Sequence, residues 1–259
     1  MARSPVPDRP DPDGAWSTPL DAPLYPRYPI PFRDIELLTL QYRTDPAAIR
    51  RLVPEPLEPT GDTVLFHIAR MGDVPGIGAG IHECNVMVGV RLETPEGPVT
   101  GAYSPWFFLD NDRAIAQGRE VQGQPKRAAV VNLQTRVDLV VGTVVVNEID
   151  ILTGTLPYKQ RMGSLESLRS RVDMVTNINL KVIPNIDGTI AVRQLVAREL
   201  MHVRVLECWT GQGTVEIRPN AGAPLYRLPV LEFLEGYHWR AEFDLVGGRI
   251  VHDYLAPRG

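Results

Sequence analysis

Apolar side chains recur at every second position along much of this chain. Val64, Phe66 and Ile68, then Val86, Val88, Val90 and Leu92, follow that spacing. Successive side chains of an extended strand point to opposite faces, so a period of two predicts half-buried strands. Runs at 129–140, 143–152, 180–183, 190–196, 201–206, 239–245 and 249–255, set apart by Gly, Pro and Asn, predict further strands. Three stretches predict helices instead. Residues 45–53 follow Thr44 with Pro46 at an early position, 111–117 are closed by Gly118, and 164–174 place Leu165, Leu168 and Val172 on one face. The expected fold is mostly β, an antiparallel sheet core with a few covering helices.

Prolines at 5, 7, 10, 12, 19, 23, 26, 29 and 31 set residues 1–32 apart as an extended arm, expected to pack on a neighbouring subunit. No repeat or linker interrupts the remainder of the chain, so residues 33–259 are expected to form one domain.

Composition narrows the chemistry. With 259 residues, 44% apolar and 22% charged, the chain can bury a substantial core, which excludes disorder. Its 31 acidic against 27 basic residues supply no basic stripe for nucleic acid, leaving a small molecule as the expected ligand. No run of about eighteen apolar residues and no basic-then-apolar leader occurs, so no membrane contact and a cytoplasmic location are expected.

The familiar reactive motifs are missing. His67, His82, His202, His238 and His252 show no paired ligand spacing, and Cys84 and Cys208 fit neither a thiolate metal site nor a redox pair, so neither metal nor cofactor is expected. Gly76-Ile-Gly-Ala-Gly80 opens no helix and reads as a turn. Cys84 and His82 read as strand neighbours, and no Gly-x-Ser-x-Gly elbow is present.

Lysine is the outlier. Only Lys126, Lys159 and Lys181 occur among the 27 basic residues. Arginine stays protonated, whereas a lysine can lose its proton on burial and act as a nucleophile. Lys126 follows a short helix, a glycine and Pro125, at the entrance of an apolar strand. Attack on a carbonyl near neutral pH requires its pKa to fall from ~10.4 towards ~7, a differential of ~4–5 kcal/mol. Burial and the adjacent Arg127 are two sources of that shift. A solvated Lys126–Arg127 pair at a strand start is the alternative on physics alone.

A colinear set of segments then bears on the choice. Tyr42-Arg-Thr-Asp45, Val53-Pro-Glu-Pro-Leu57, Leu109-Asp-Asn111, Gly118-Arg-Glu120, Pro125-Lys126, Ile183-Pro-Asn185, Trp209-Thr-Gly211 and Asp253-Tyr-Leu255 together resemble the acetoacetate decarboxylase-like superfamily. The resemblance implies a cone-like antiparallel β-barrel, homo-oligomeric assembly, and a Schiff-base lysine at Lys126 acting on a small keto acid. Glu83 resembles the family's active-site glutamate once one residue is inserted in the turn at 76–81. Tyr254 lies where one branch places a tyrosine near the imine, and Glu83 or Tyr254 would move protons.

This chain also departs from the decarboxylases. Arg127 stands where they carry a second lysine, and Ile35 stands where they carry an upstream arginine. Arg33, Arg70 or Arg119 is expected to bind the substrate carboxylate instead, with Arg127 keeping Lys126 neutral. Gln122, four residues before the lysine, is similar to the glutamine of the branch of pyruvate aldolase-dehydratases, and would hydrogen-bond substrate. The leading expectation is therefore aldol condensation and dehydration of an α-keto acid such as pyruvate with an aldehyde co-substrate. Decarboxylation of a β-keto acid is second, and non-catalytic ligand binding third.

Overall fold

Strands account for most of the chain. The structure, a computed structural model, describes residues 12–157 and 159–257, so the first eleven residues of the expected arm lie outside it. The long strands are β1 (Ile30–Arg43), β2 (Glu58–Val74), β3 (Gly78–Leu92) and β4 (Val99–Leu109), followed by the short β5 (Lys126–Ala128). Next come β6 (Val130–Arg136), β7 (Leu139–Val146), β8 (Ile149–Leu156), β9 (Arg161–Met162) and β10 (Thr176–Pro184). The chain continues through β11 (Ile190–Gly211), β12 (Thr214–Ile217), β13 (Glu232–Leu245) and β14 (Arg249–Asp253). The helices are α1 (Pro46–Arg50), α2 (Asp112–Glu120) and α3 (Leu165–Arg169).

The main sheet runs β10-β11-β13-β1-β2-β3-β4-β5, and β10 also pairs in parallel with β4 at Asn177 and Ala102, so the sheet closes on itself. A second, antiparallel sheet runs β12-β8-β7-β6. It packs so closely on the first that Gly142 and Gly154 have no room for a methyl group; a Cβ there would lie 2.4 Å from Ile68 and 2.2 Å from Leu40.

The central strands β1, β2 and β3 of the main sheet are buried on both faces, not half-buried as their alternation suggests. Leu38, Leu40, Tyr42, Phe66 and Val86 face one core, under the second sheet. Leu37, Leu65, Met71, Ile81 and Met87, at the intervening positions, face another. Because side-chain direction has a period of two, the polar residues His67, Glu83 and Asn85 are carried inward with that second set.

Element boundaries shift where turn chemistry intervenes. The expected strand 143–152 breaks at Asn147 and Glu148, whose φ values of 51° and 62° make a tight two-residue hairpin between β7 and β8. The expected 129–140 breaks at Val137 (φ 57°). Conversely, 190–196 and 201–206 are one strand, β11, with an irregularity beside His202. The third helix stops at Arg169 rather than 174, although Leu168 and Val172 are both buried as its apolar face implied.

The described part of the arm packs against its own chain. Trp16 donates its indole N–H to the Pro26 carbonyl (3.1 Å) and meets Tyr25 and Tyr28 edge-on. Tyr28 accepts from the amides of Gln117 and Gln122, which ties residues 16–28 to α2 and the turn after it.

Candidate active site

Asn111 caps α2 by accepting from the Ala114 amide (2.9 Å), and the helix runs to Glu120, past the expected stop at Gly118. Gly118 has a different task. A Cβ on it would lie 2.4 Å from Cδ and 2.9 Å from Cε of Lys126, so the missing side chain is the channel for the lysine stem. The Gln124 amide then returns to the Gly118 carbonyl (2.9 Å), closing the turn that aims the chain at β5. Gly123 makes that turn at φ 64°, where a Cβ would also strike Lys181 backbone at 2.7 Å. β5 pairs in parallel with β4, Phe107 opposite Lys126.

Alternation within β5 decides which of two adjacent cations enters the protein. Lys126 is 7% exposed and points into a cavity on the second-core side. That cavity comprises about 720 Å³ of space, its mouth included, and its walls include Met87, Phe107, Met174, Trp239 and Phe243. The ammonium position lies 4.7 Å above the Phe107 ring and 3.8 Å from Glu83 Oε2, beyond hydrogen-bond distance. Burial is the main force on the amine and holds its pKa below the ordinary lysine value, with the Arg198 guanidinium acting in the same direction and Glu83 against it. Burial likewise raises the Glu83 carboxyl, while Lys126 and Arg198 oppose the rise. Both buried groups are thereby pushed towards their neutral forms.

Neighbouring polar groups are firmly oriented. His67, opposite Asn85 across β2 and β3, is held at a pKa of about 4 by burial and is a neutral imidazole at pH 7. Its Nδ1 lies 3.0 Å from the Thr39 hydroxyl, which also accepts from Trp239 Nε1 (2.9 Å). Arg198 Nη2 donates to Asn177 Oδ1 (2.9 Å), its cross-strand partner. Among the described residues no group of three or more His, Cys, Asp or Glu is placed to hold a metal ion. None of their helices is long and apolar enough to cross a membrane.

Lys126, Glu83 and Gln122 are brought together in this cavity; the remaining expected site residues are not. Arg127 faces away and donates to the Gly222 carbonyl, so the positive charge that acts on Lys126 is that of Arg198. Arg33 is bound to the Phe243 carbonyl and Asp244 at the surface, and Arg70 to Glu36. Arg119 is exposed and donates to the Lys126 backbone carbonyl (3.1 Å), steadying the lysine's main chain without reaching the cavity. Tyr254 follows β14, which pairs with β11 at Gln194–Ala197; its hydroxyl bonds the Glu55 carbonyl and its ring joins the first core. The sheet thus separates Tyr254 from Lys126. Gln122 lines the cavity, but its amide N–H is committed to the Tyr28 hydroxyl (2.8 Å).

Arg198, Asn177, Asn85 and His67 carry no motif that marks them in the sequence. Continuing the alternation of β11 through the gap at 197–200 places Arg198 on the face opposite Ala197, and Asn85 and His67 follow from their neighbours Glu83 and Leu65 by the same count.

The family model for acetoacetate decarboxylase (ADC) matches residues 17–255. The chain is 39% identical over 242 residues to acetoacetate decarboxylase 1 of Mesorhizobium japonicum, covering 93% of this chain and 96% of that relative. A solved acetoacetate decarboxylase superposes with a TM-score of 0.87 at 34% identity, over 94% of this chain and 98% of its own. The enduracididine biosynthesis enzyme MppR superposes with a TM-score of 0.77 at 22% identity, over 92% and 95%, a likeness of fold alone.

Proposed function

The chain belongs to the acetoacetate decarboxylase family of Schiff-base lyases, and from that premise we propose that it decarboxylates a small β-keto acid through Lys126. The observation that carries the proposal is the buried amine of Lys126, lowered in pKa by an apolar cavity that it shares with one carboxyl group and one guanidinium.

The neutral amine adds to the ketone carbon, and the carbinolamine loses water as Glu83, protonated, supplies a proton to the departing hydroxyl. The bond to the carboxylate carbon breaks, its electron pair moves towards the iminium nitrogen, and carbon dioxide leaves an enamine. Protonation of the enamine carbon and hydrolysis of the iminium return the lysine and release a ketone. One β-keto acid anion and one proton become one ketone and one carbon dioxide. Apolar walls such as Phe107 and Trp239 favour the step in which a solvated charge is lost.

Aldol addition of an α-keto acid to an aldehyde is the weaker reading, because Gln122, which motivated it, holds Tyr28 with its amide. Borohydride trapping with acetoacetate followed by mass spectrometry tests the proposal. It expects a reduced adduct on Lys126 and release of carbon dioxide by the untreated enzyme. No adduct with acetoacetate or pyruvate would sink the Schiff-base reading; an adduct with pyruvate and product formation with an aldehyde, without carbon dioxide, would favour the aldol reaction.

A further inference from the structure

The arginines expected to bind the substrate carboxylate, Arg33, Arg70 and Arg119, are engaged elsewhere. The cavity nevertheless contains one guanidinium, that of Arg198. Its Nη2 is bound to Asn177, whereas its Nε and Nη1 are buried and have no hydrogen-bond partner. Arginine carries five N–H donors and no acceptor, and a buried cation is stabilised most by an anion, so idle donors on a buried guanidinium that lines a cavity mark a place where a carboxylate fits. Glu83 does not fill it: it acts on Arg198 through charge but makes no ion pair with it, and its nearest cation is Lys126. The cation is also held in place, since Asn177 is itself fixed by the Met174 carbonyl.

We infer that Arg198 is the anchor for the substrate carboxylate. The inference rests on the Schiff-base reading of Lys126 and specifies what that site binds most tightly: a keto acid in its anionic form, ahead of its ester, its amide or a simple ketone, which reach Lys126 without the ion pair. An ion pair with a carboxylate is lost as that carboxylate becomes carbon dioxide. The anchor therefore acts on binding and on the direction from which the carbonyl meets Lys126, and its removal raises KM more than it lowers kcat.

The test compares a charged with a neutral carbonyl compound. Acetoacetate and acetone are each trapped on Lys126 with borohydride in the wild-type enzyme and in Arg198→Gln, at a pH high enough to leave the amine free in both. Loss of a charge-assisted bond to a carboxylate predicts that KM for acetoacetate rises by about 10- to 100-fold, while trapping of acetone is retained. Equal loss of both would overturn the inference and leave Arg198 a structural residue. Failure of the wild-type enzyme to trap either compound would instead refute the Schiff-base reading itself. Should Arg198→Gln not fold, the wild-type enzyme decides: propionate should compete with acetone for trapping, and propionamide, of the same shape without the charge, should not. Equal competition by the two, or by neither, overturns the anchor. Arg198→Lys, which keeps the charge but loses the planar fork, should fall between wild type and Arg198→Gln in KM.

Discussion

Replacing Gly118 by alanine separates the demands of the helix from those of the site. Gly118 lies inside α2, before the C-cap at Val121, with a helical backbone conformation that any residue adopts. On helix propensity alone, Gly118→Ala should stabilise the protein by ~0.5–1 kcal/mol. The new methyl group would, however, sit 2.4 Å from Lys126 Cδ, whereas ordinary contact begins at 3.4 Å. The lysine stem must move by 3.4 − 2.4 = 1.0 Å, and Gln124 Oε1, at 2.9 Å, must also give way. Lys126 is the end of a flexible side chain, so the fold absorbs this movement, but the amine does not stay where the carbonyl meets it. A misplacement of about 1 Å costs on the order of 10²-fold in rate. Steady-state decarboxylation, the rate of borohydride trapping and thermal unfolding measured side by side should show a melting temperature within a few degrees of wild type and a kcat/KM about 100-fold lower. Unchanged trapping and turnover in a folded Gly118→Ala protein would refute the claim that this glycine is the channel for the lysine.

Three further outcomes derive from the same geometry. Lys126→Met should abolish the adduct and raise the melting temperature at neutral pH, because the wild-type enzyme buries an amine that is more readily protonated in the unfolded chain. A lysine with a lowered folded pKa binds fewer protons folded than unfolded, so stability rises with pH up to the ordinary lysine value, and the advantage of Lys126→Met should shrink as pH rises in differential scanning calorimetry. Arg127→Gln should leave the pH–rate profile in place, since that guanidinium is bound to Gly222 outside the cavity, whereas Arg198→Gln should move the amine's limb to higher pH. A displaced profile in Arg127→Gln would return the tuning role to the adjacent arginine. Tyr254→Phe should retain wild-type kcat, because it loses only a bond to the Glu55 carbonyl; a loss of about tenfold or more would mean that its hydroxyl reaches the reacting atoms.

Much of the architecture is legible in one dimension because the periodicity of a strand is local. The alternation at 64–68 and 86–92 arises from pleating, and Lys126 stands out because lysine is scarce and proline and glycine shape the turn before it. Helix ends are less legible. Gly118 has the composition of a stop, but the criterion that matters there is the space for Lys126, which belongs to a segment further along the chain.

Sequence pattern alone established that the chain is mostly β and that Lys126 is its most reactive candidate; the family resemblance added Glu83 and Tyr254 as alternative proton carriers, and only the fold brings Glu83 beside the lysine. Tertiary structure decided which cation joins them. Arg127 is adjacent in the chain but points the other way, because neighbouring residues on a strand lie on opposite faces. Arg198 is distant in the chain, yet the pairing of β10 with β11 and the closure of the sheet bring it to the same cavity. Charge acts through space, and only the folded sheet sets those distances.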